Sequence, residues 1–214
     1  MSSPMSTRPR WGFFIALAAV AVLLRLAPQL MVKLTSAGYD MSMVNYPWGF
    51  TPMLAIGLYA GAFLKSRWQA VGLIVGTQLL GDVGIWALSG DVLQAFDPGA
   101  SGVYVAYPLC AWLGGSLSVN RSWGRVQAGS LLSCMAFFLV TNFVVWACGR
   151  WASQELALLY PATWAGLMKC YVMGIPYAKE FISTPIFAAL LFSPLGVAQV
   201  SACVPDQKPE LATA

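Results

Sequence analysis

Histidine occurs nowhere in the 214 residues. Its absence removes the commonest metal ligand and the usual general base near neutral pH. Serine–histidine and zinc-dependent mechanisms go with it. Charge is scarce too: 9% of residues are Asp, Glu, Lys or Arg, against about 25% in soluble domains. The cysteines Cys110, Cys134, Cys148, Cys170 and Cys203 form no CxxC or other zinc-type spacing. No P-loop pattern is present, so nothing in the sequence points to a bound nucleotide. Asp82 has no acidic neighbour in its own apolar stretch, so a paired-carboxylate mechanism would need Glu180 brought to it by the fold. No catalytic residue, metal site or cofactor is therefore assigned. The net charge of +4 is scattered rather than clustered, which argues against nucleic acid as a partner.

What is present is apolar. The chain is 58% hydrophobic, more than a soluble fold of this length could keep from water. A lipid bilayer as the main partner removes that difficulty. A membrane-spanning helix needs roughly 20 mostly apolar residues. Trp11–Leu30 is the first such stretch. Arg8 and Arg10 ahead of it also suit a signal peptide, but Arg25 and Pro28 interrupt the run where cleavage would fall. Further spans are expected at Trp48–Leu64, Trp68–Leu88, Gly102–Val119 and Val126–Cys148. Pro161–Ile175 is too short to cross and carries Lys169, which suits an interfacial or re-entrant helix. Pro176 then opens a sixth span ending near Val200. The expected fold is thus an all-α membrane bundle of about six helices over residues 11–200. It is flanked by a cytoplasmic tail at 1–10 and a disordered tail at 201–214.

The loops alternate in charge. Arg8 and Arg10, Lys65 and Arg67, Arg121 and Arg125, and Lys208 all fall on one side of a six-span arrangement. Asp40, Asp91, Asp97 and Glu155 fall on the other, where Lys33, Arg150 and Lys169 are the only cations. The positive-inside rule then sets both termini in the cytoplasm.

Charges inside a span are costly and mark functional candidates. Arg25 lies 14 residues beyond Trp11, and Asp82 lies 14 beyond Trp68. On two helices rising outward, both sit about 21 Å above the inner boundary. Asn142 reaches about 24 Å. Gln78 is one turn below Asp82 on the same helix face. Asn45, Tyr104, Tyr107, Lys179 and Glu180 approach this level from the outer ends of other spans. All of these are expected to contribute to one outward-facing ligand pocket. Arg25 would hold an anion or carbonyl, Asp82 a donor, and the aromatic residues a ring. Beside that reading stand plainer ones. Arg25 and Asp82 could simply tie two helices together, and Asn142 could be interhelical glue. Tyr104 and Tyr107 could sit in the interfacial aromatic belt, and Lys179 and Glu180 could snorkel to the interface. Cys148 and Cys170 flank one external segment, as a disulfide or as two free thiols. Gly57 and Gly61 form a GxxxG, and Ala16, Ala18, Ala19 and Ala21 give the first span a small-residue surface. That surface suits packing inside this chain or docking of another subunit.

Several stretches carry a resemblance. They are Arg25-Leu26-Ala27-Pro28, Asn45 with Pro47 and Pro52, Gly81-Asp82, Thr141-Asn142-Phe143 with Trp146, Tyr160-Pro161, Gly166-Leu167, Cys170-Tyr171 and Ile175-Pro176-Tyr177. On these the chain resembles an uncharacterised family of small bacterial membrane proteins. That family in turn looks like the substrate-binding subunits of energy-coupling-factor vitamin transporters. The resemblance implies six helices in the bacterial inner membrane and a pocket near the external face. It implies a lid over Met31–Tyr46, a membrane coupling subunit and paired ATPases as partners, and a vitamin-like small-molecule ligand. The helix-one alanines are spaced differently from the two-alanines-four-apart pattern of such subunits. Three functions remain open: an uptake subunit, a non-transporting scaffold or accessory subunit, and a membrane-embedded enzyme.

Overall fold

The computed structural model describes residues 7–40, 51–97, 101–152 and 154–203. Within them the chain is helical, apart from one short antiparallel pairing of β1 (Thr7–Pro9) with β2 (Ser201–Cys203). The helices in order are α1 (Trp11–Ser36), α2 (Met53–Phe63), α3 (Arg67–Ser89), α4 (Val92–Ala95), α5 (Ser101–Gly114), α6 (Trp123–Ala152), α7 (Gln154–Leu159), α8 (Trp164–Gly174), α9 (Glu180–Leu191) and α10 (Pro194–Val200). Short 3-10 turns follow α5 at Gly115–Leu117 and α8 at Ile175–Tyr177.

Among the described residues, α1, α3 and residues Trp123–Cys148 of α6 are long and apolar enough to cross a bilayer. The α9–α10 pair qualifies as a fourth only if its 66° bend belongs to one span. Helices suit this environment because they satisfy every backbone polar group internally, where no water can. Large apolar residues such as Ile15, Leu23, Leu80, Leu132 and Leu190 stand on the outside, which only lipid tolerates at this density.

Five details differ from the sequence expectation. The second stretch yields only 11 helical residues in α2, about 17 Å long at 1.5 Å per residue. The fourth yields 14 in α5, extended by its 3-10 turn. The last is not continuous. Pro176 sits in a 3-10 turn, α9 starts at Glu180, and the chain breaks again before Pro194. The loop expected from Met31 is helical through Ser36, and residues 41–50 lie outside the described set. Residues 7–9 and 201–203, read from sequence as tails, pair with each other. Pro161–Ile175 does give a short helix, α8, of 11 residues.

Helix α2 is the axis of the molecule. Every residue from Met53 to Ala62 is buried, as expected for a helix that is apolar all round. The GxxxG explains how it packs. A Cβ on Gly61 would fall 2.9 Å from the Cα of Gly114 and collide with the Ala111 carbonyl, so α2 and α5 touch backbone to backbone there. Tyr59 on α2 gathers Phe14, Phe63 and Phe192 around its ring and donates its hydroxyl to the Gly196 carbonyl at 2.6 Å. That bond fastens α10 to the core. Arg121 donates to the Ala62 carbonyl at 3.2 Å and lies over the Phe63 ring, capping the C-terminal end of α2.

The small-residue surface of α1 divides. Ala21 is buried within the chain. Ala18 and Ala19 line an open groove of about 650 Å³ against Gly72 and Gly76 of α3.

Candidate functional site

The polar residues expected at one level fall into two groups. In the first, Arg25 on α1 donates from Nε to Oδ1 of Asp82 on α3 at 2.9 Å, and its Nη2 reaches the same oxygen. Gln78, one turn earlier on α3, donates Nε2 to both carboxylate oxygens, at 3.2 and 3.0 Å. The Tyr104 hydroxyl on α5 donates to Oδ2. Gly81 makes the arrangement sterically open, because a Cβ there would lie 3.1 Å from Arg25 Nε. Asp82 is 1% exposed and Arg25 is partly exposed. Arg25 and Asp82 therefore do meet at one height, as their equal offsets from the span starts require. Tyr104 points inward rather than into an interfacial belt. Asp82 accepts from three side chains, which is close to what a carboxylate can take. The Arg25 charge is neutralised within this cluster.

The second group lines a cavity of about 280 Å³ between α6, α8 and the start of α9. Asn142 and Glu180 both face it, along with Phe137, Phe138, Tyr160 and Tyr177. Every lining residue comes from the segment between Phe137 and Glu180, so one continuous stretch of chain encloses the site. Thr163 caps α8 by accepting from the Gly166 N–H at 3.1 Å, and Trp146 donates to the Pro161 carbonyl at 3.0 Å. These bonds fold the turn before α8 against α6 and shape the wall. Asn142 is not interhelical glue through its N–H group, because Nδ2 donates to the Phe138 carbonyl one turn back at 2.9 Å. Its Oδ1 instead faces Gly174, where a Cβ would collide with it. Burial, followed by nearby Cys170 and Tyr177, raises the Tyr160 phenol above its usual pKa, so it stays protonated.

Tyr107 packs behind the cavity wall. It is buried and stacks on Phe137 with centroids 5.3 Å apart and planes 28° from parallel. Phe137 lines the cavity, while Tyr107 lies within electrostatic reach of Arg25, Asp82 and Glu180. The belt placement of Tyr107 is thus replaced by an inward one. The expected contributors thus divide between an ion-pair cluster and a cavity. Lys179 is exposed at the start of α9, and Asn45 lies outside the described residues. Cys148 and Cys170 are free thiols, and Cys170 donates weakly to the Asn142 carbonyl at 3.4 Å.

Sequence reasoning missed Phe137, Phe138, Tyr160 and Tyr177 as wall residues. Their local signal was aromatic content around Asn142 and before Glu180. Only the packing of α8 onto α6 shows which rings line the cavity, Tyr177 doing so from its exposed rim.

The profile of a family of unknown function, DUF6580, matches residues 5–207, and the chain belongs to that family. No curated protein matches the chain, and no solved structure does. The comparisons thus connect it to this family and to no transporter subunit.

Proposed function

We propose that this protein is a membrane-embedded binding subunit that takes up a small molecule from the outer side through the α6–α8–α9 cavity. The observation that carries the reading is that cavity, in which Asn142 and Glu180 are set among aromatic rings. Its volume of about 280 Å³ lies near the lower end of the roughly 300–1,000 Å³ usual for small-molecule sites. A largely apolar wall with a few placed polar groups is the usual composition of such sites.

The same proposal includes six crossings with both termini in the cytoplasm. The pairing of β1 with β2 supports it, because chain ends on one face require an even number of crossings. In this arrangement α2, α5 and the bent α9–α10 pair complete the crossings begun by the three long helices. The resemblance to energy-coupling-factor subunits motivates a further part of the proposal, a membrane coupling subunit driven by ATPases.

A scaffold role is the second reading. It is favoured by the Arg25–Asp82 cluster, where both charges are already engaged within the protein. In that reading the cavity would hold lipid or water.

Native mass spectrometry on gently extracted protein tests the proposal. A reproducible small molecule is expected on the wild type and absent from Gly174→Leu, whose side chain would enter the cavity. Equal retention by Gly174→Leu overturns the site. No bound species, together with no thermal shift across a metabolite library, overturns the function.

A further inference from the structure

Resting on the binding reading above, we infer that the cavity selects an organic cation: a protonated amine or quaternary ammonium on a small apolar or aromatic body. Glu180 is the only charged side chain lining the cavity. It makes no ion pair among the described residues. Its charged neighbour Lys179 acts on it electrostatically, but is exposed and does not line the cavity. Arg25, the cation that sequence alone suggested as an anion anchor, is held by Asp82 and does not line the cavity.

The neutral polar groups bring no cation of their own. Asn142 spends one Nδ2 hydrogen on the Phe138 carbonyl, which fixes the amide orientation and leaves Oδ1 and one N–H. The Thr141 hydroxyl donates to the Phe137 carbonyl at 2.8 Å, so its remaining capacity is as an acceptor. The Cys170 thiol is turned to the Asn142 carbonyl. The wall therefore mixes neutral donors and acceptors around a single charged group, the Glu180 carboxylate, which a cationic ligand would neutralise. Phe137, Phe138, Tyr160 and Tyr177 add ring faces, whose negative quadrupoles attract cations. An anionic ligand would meet the Glu180 carboxylate with no compensating cation in the wall.

Full-length protein in nanodiscs would be titrated with benzyltrimethylammonium, phenethylamine, benzyl alcohol and phenylacetate, with binding read by thermal shift and calorimetry. The two cations are expected to bind most tightly and phenylacetate least. Glu180→Gln should weaken the cations on the order of 10- to 100-fold while leaving benzyl alcohol unchanged, because a hydrogen bond or contact to a charged acceptor is lost. Glu180→Asp should retain the preference. Tighter binding of phenylacetate than of the cations by the wild type overturns cation selection, and so does an unchanged affinity in Glu180→Gln. If either substitution fails to fold, the wild-type charge series decides alone. Binding of both neutral and anionic probes with loss in Gly174→Leu would keep the site and overturn the charge assignment. Failure of all four probes, with Gly174→Leu indistinguishable from wild type, would overturn the binding reading itself.

Discussion

Arg25 on α1 and Asp82 on α3 are joined by two hydrogen bonds to a single carboxylate oxygen, and Gln78 and Tyr104 bind the same carboxylate. The pair ties two long apolar helices together at one depth. It also settles the Arg25 charge where lipid offers no solvation.

Breaking the pair should therefore cost stability. Asp82→Ala is expected to lose about 3 kcal/mol, the low end for a broken buried pair because Arg25 keeps 30% exposure. Arg25→Met with Asp82→Leu together should recover most of that loss. Unfolding in detergent, followed by helical circular dichroism, measures it. Equal stability of Asp82→Ala and wild type would show the cluster to be dispensable for the fold.

Glycine substitutions should separate two kinds of surface. Gly61→Ala places a Cβ against the backbone of α5 and is expected to cost about 1–3 kcal/mol. Gly76→Ala meets nothing within 4 Å and should leave the melting temperature unchanged or slightly raised. The reverse order would contradict the α2–α5 contact.

The buried Ser183 Oγ has no hydrogen-bond partner among the described residues. An unpaired buried hydroxyl costs roughly 1–3 kcal/mol, so Ser183→Ala should be neutral or stabilising in thermal melts. A loss above about 1 kcal/mol would instead indicate that this group holds an internal water.

Orientation is open to cysteine labelling in a background without the five native cysteines. Lys65→Cys, before α3, should react only from the cytoplasmic side. Gln94→Cys, in α4, should react only from outside. Labelling of Lys65→Cys from outside in intact cells would invert the proposed topology.

The three long helices were legible in the sequence because each is a run of apolar residues, and a run is a local property. The shared depth of Arg25 and Asp82 was legible for the same reason: helical rise converts residue number into height. The break between α9 and α10 was less so, although Ser193-Pro194 marks it. A proline weakens a helix without saying where neighbouring contacts will let it bend.

Sequence alone determined that this chain carries helices apolar enough to cross a membrane, roughly where the long ones lie, and which rare charges must find partners. Tertiary structure decided the rest. It divided one expected pocket into an ion-pair cluster and a cavity, turned Tyr104 and Tyr107 inward, and left Glu180 as the cavity's only charge. The reason is geometric. Height along a helix follows from counting residues, whereas the direction a side chain faces around the bundle depends on how each helix is rotated against its neighbours. That rotation is fixed by contacts such as Gly61 on Ala111 and α8 on α6, between residues far apart in the chain.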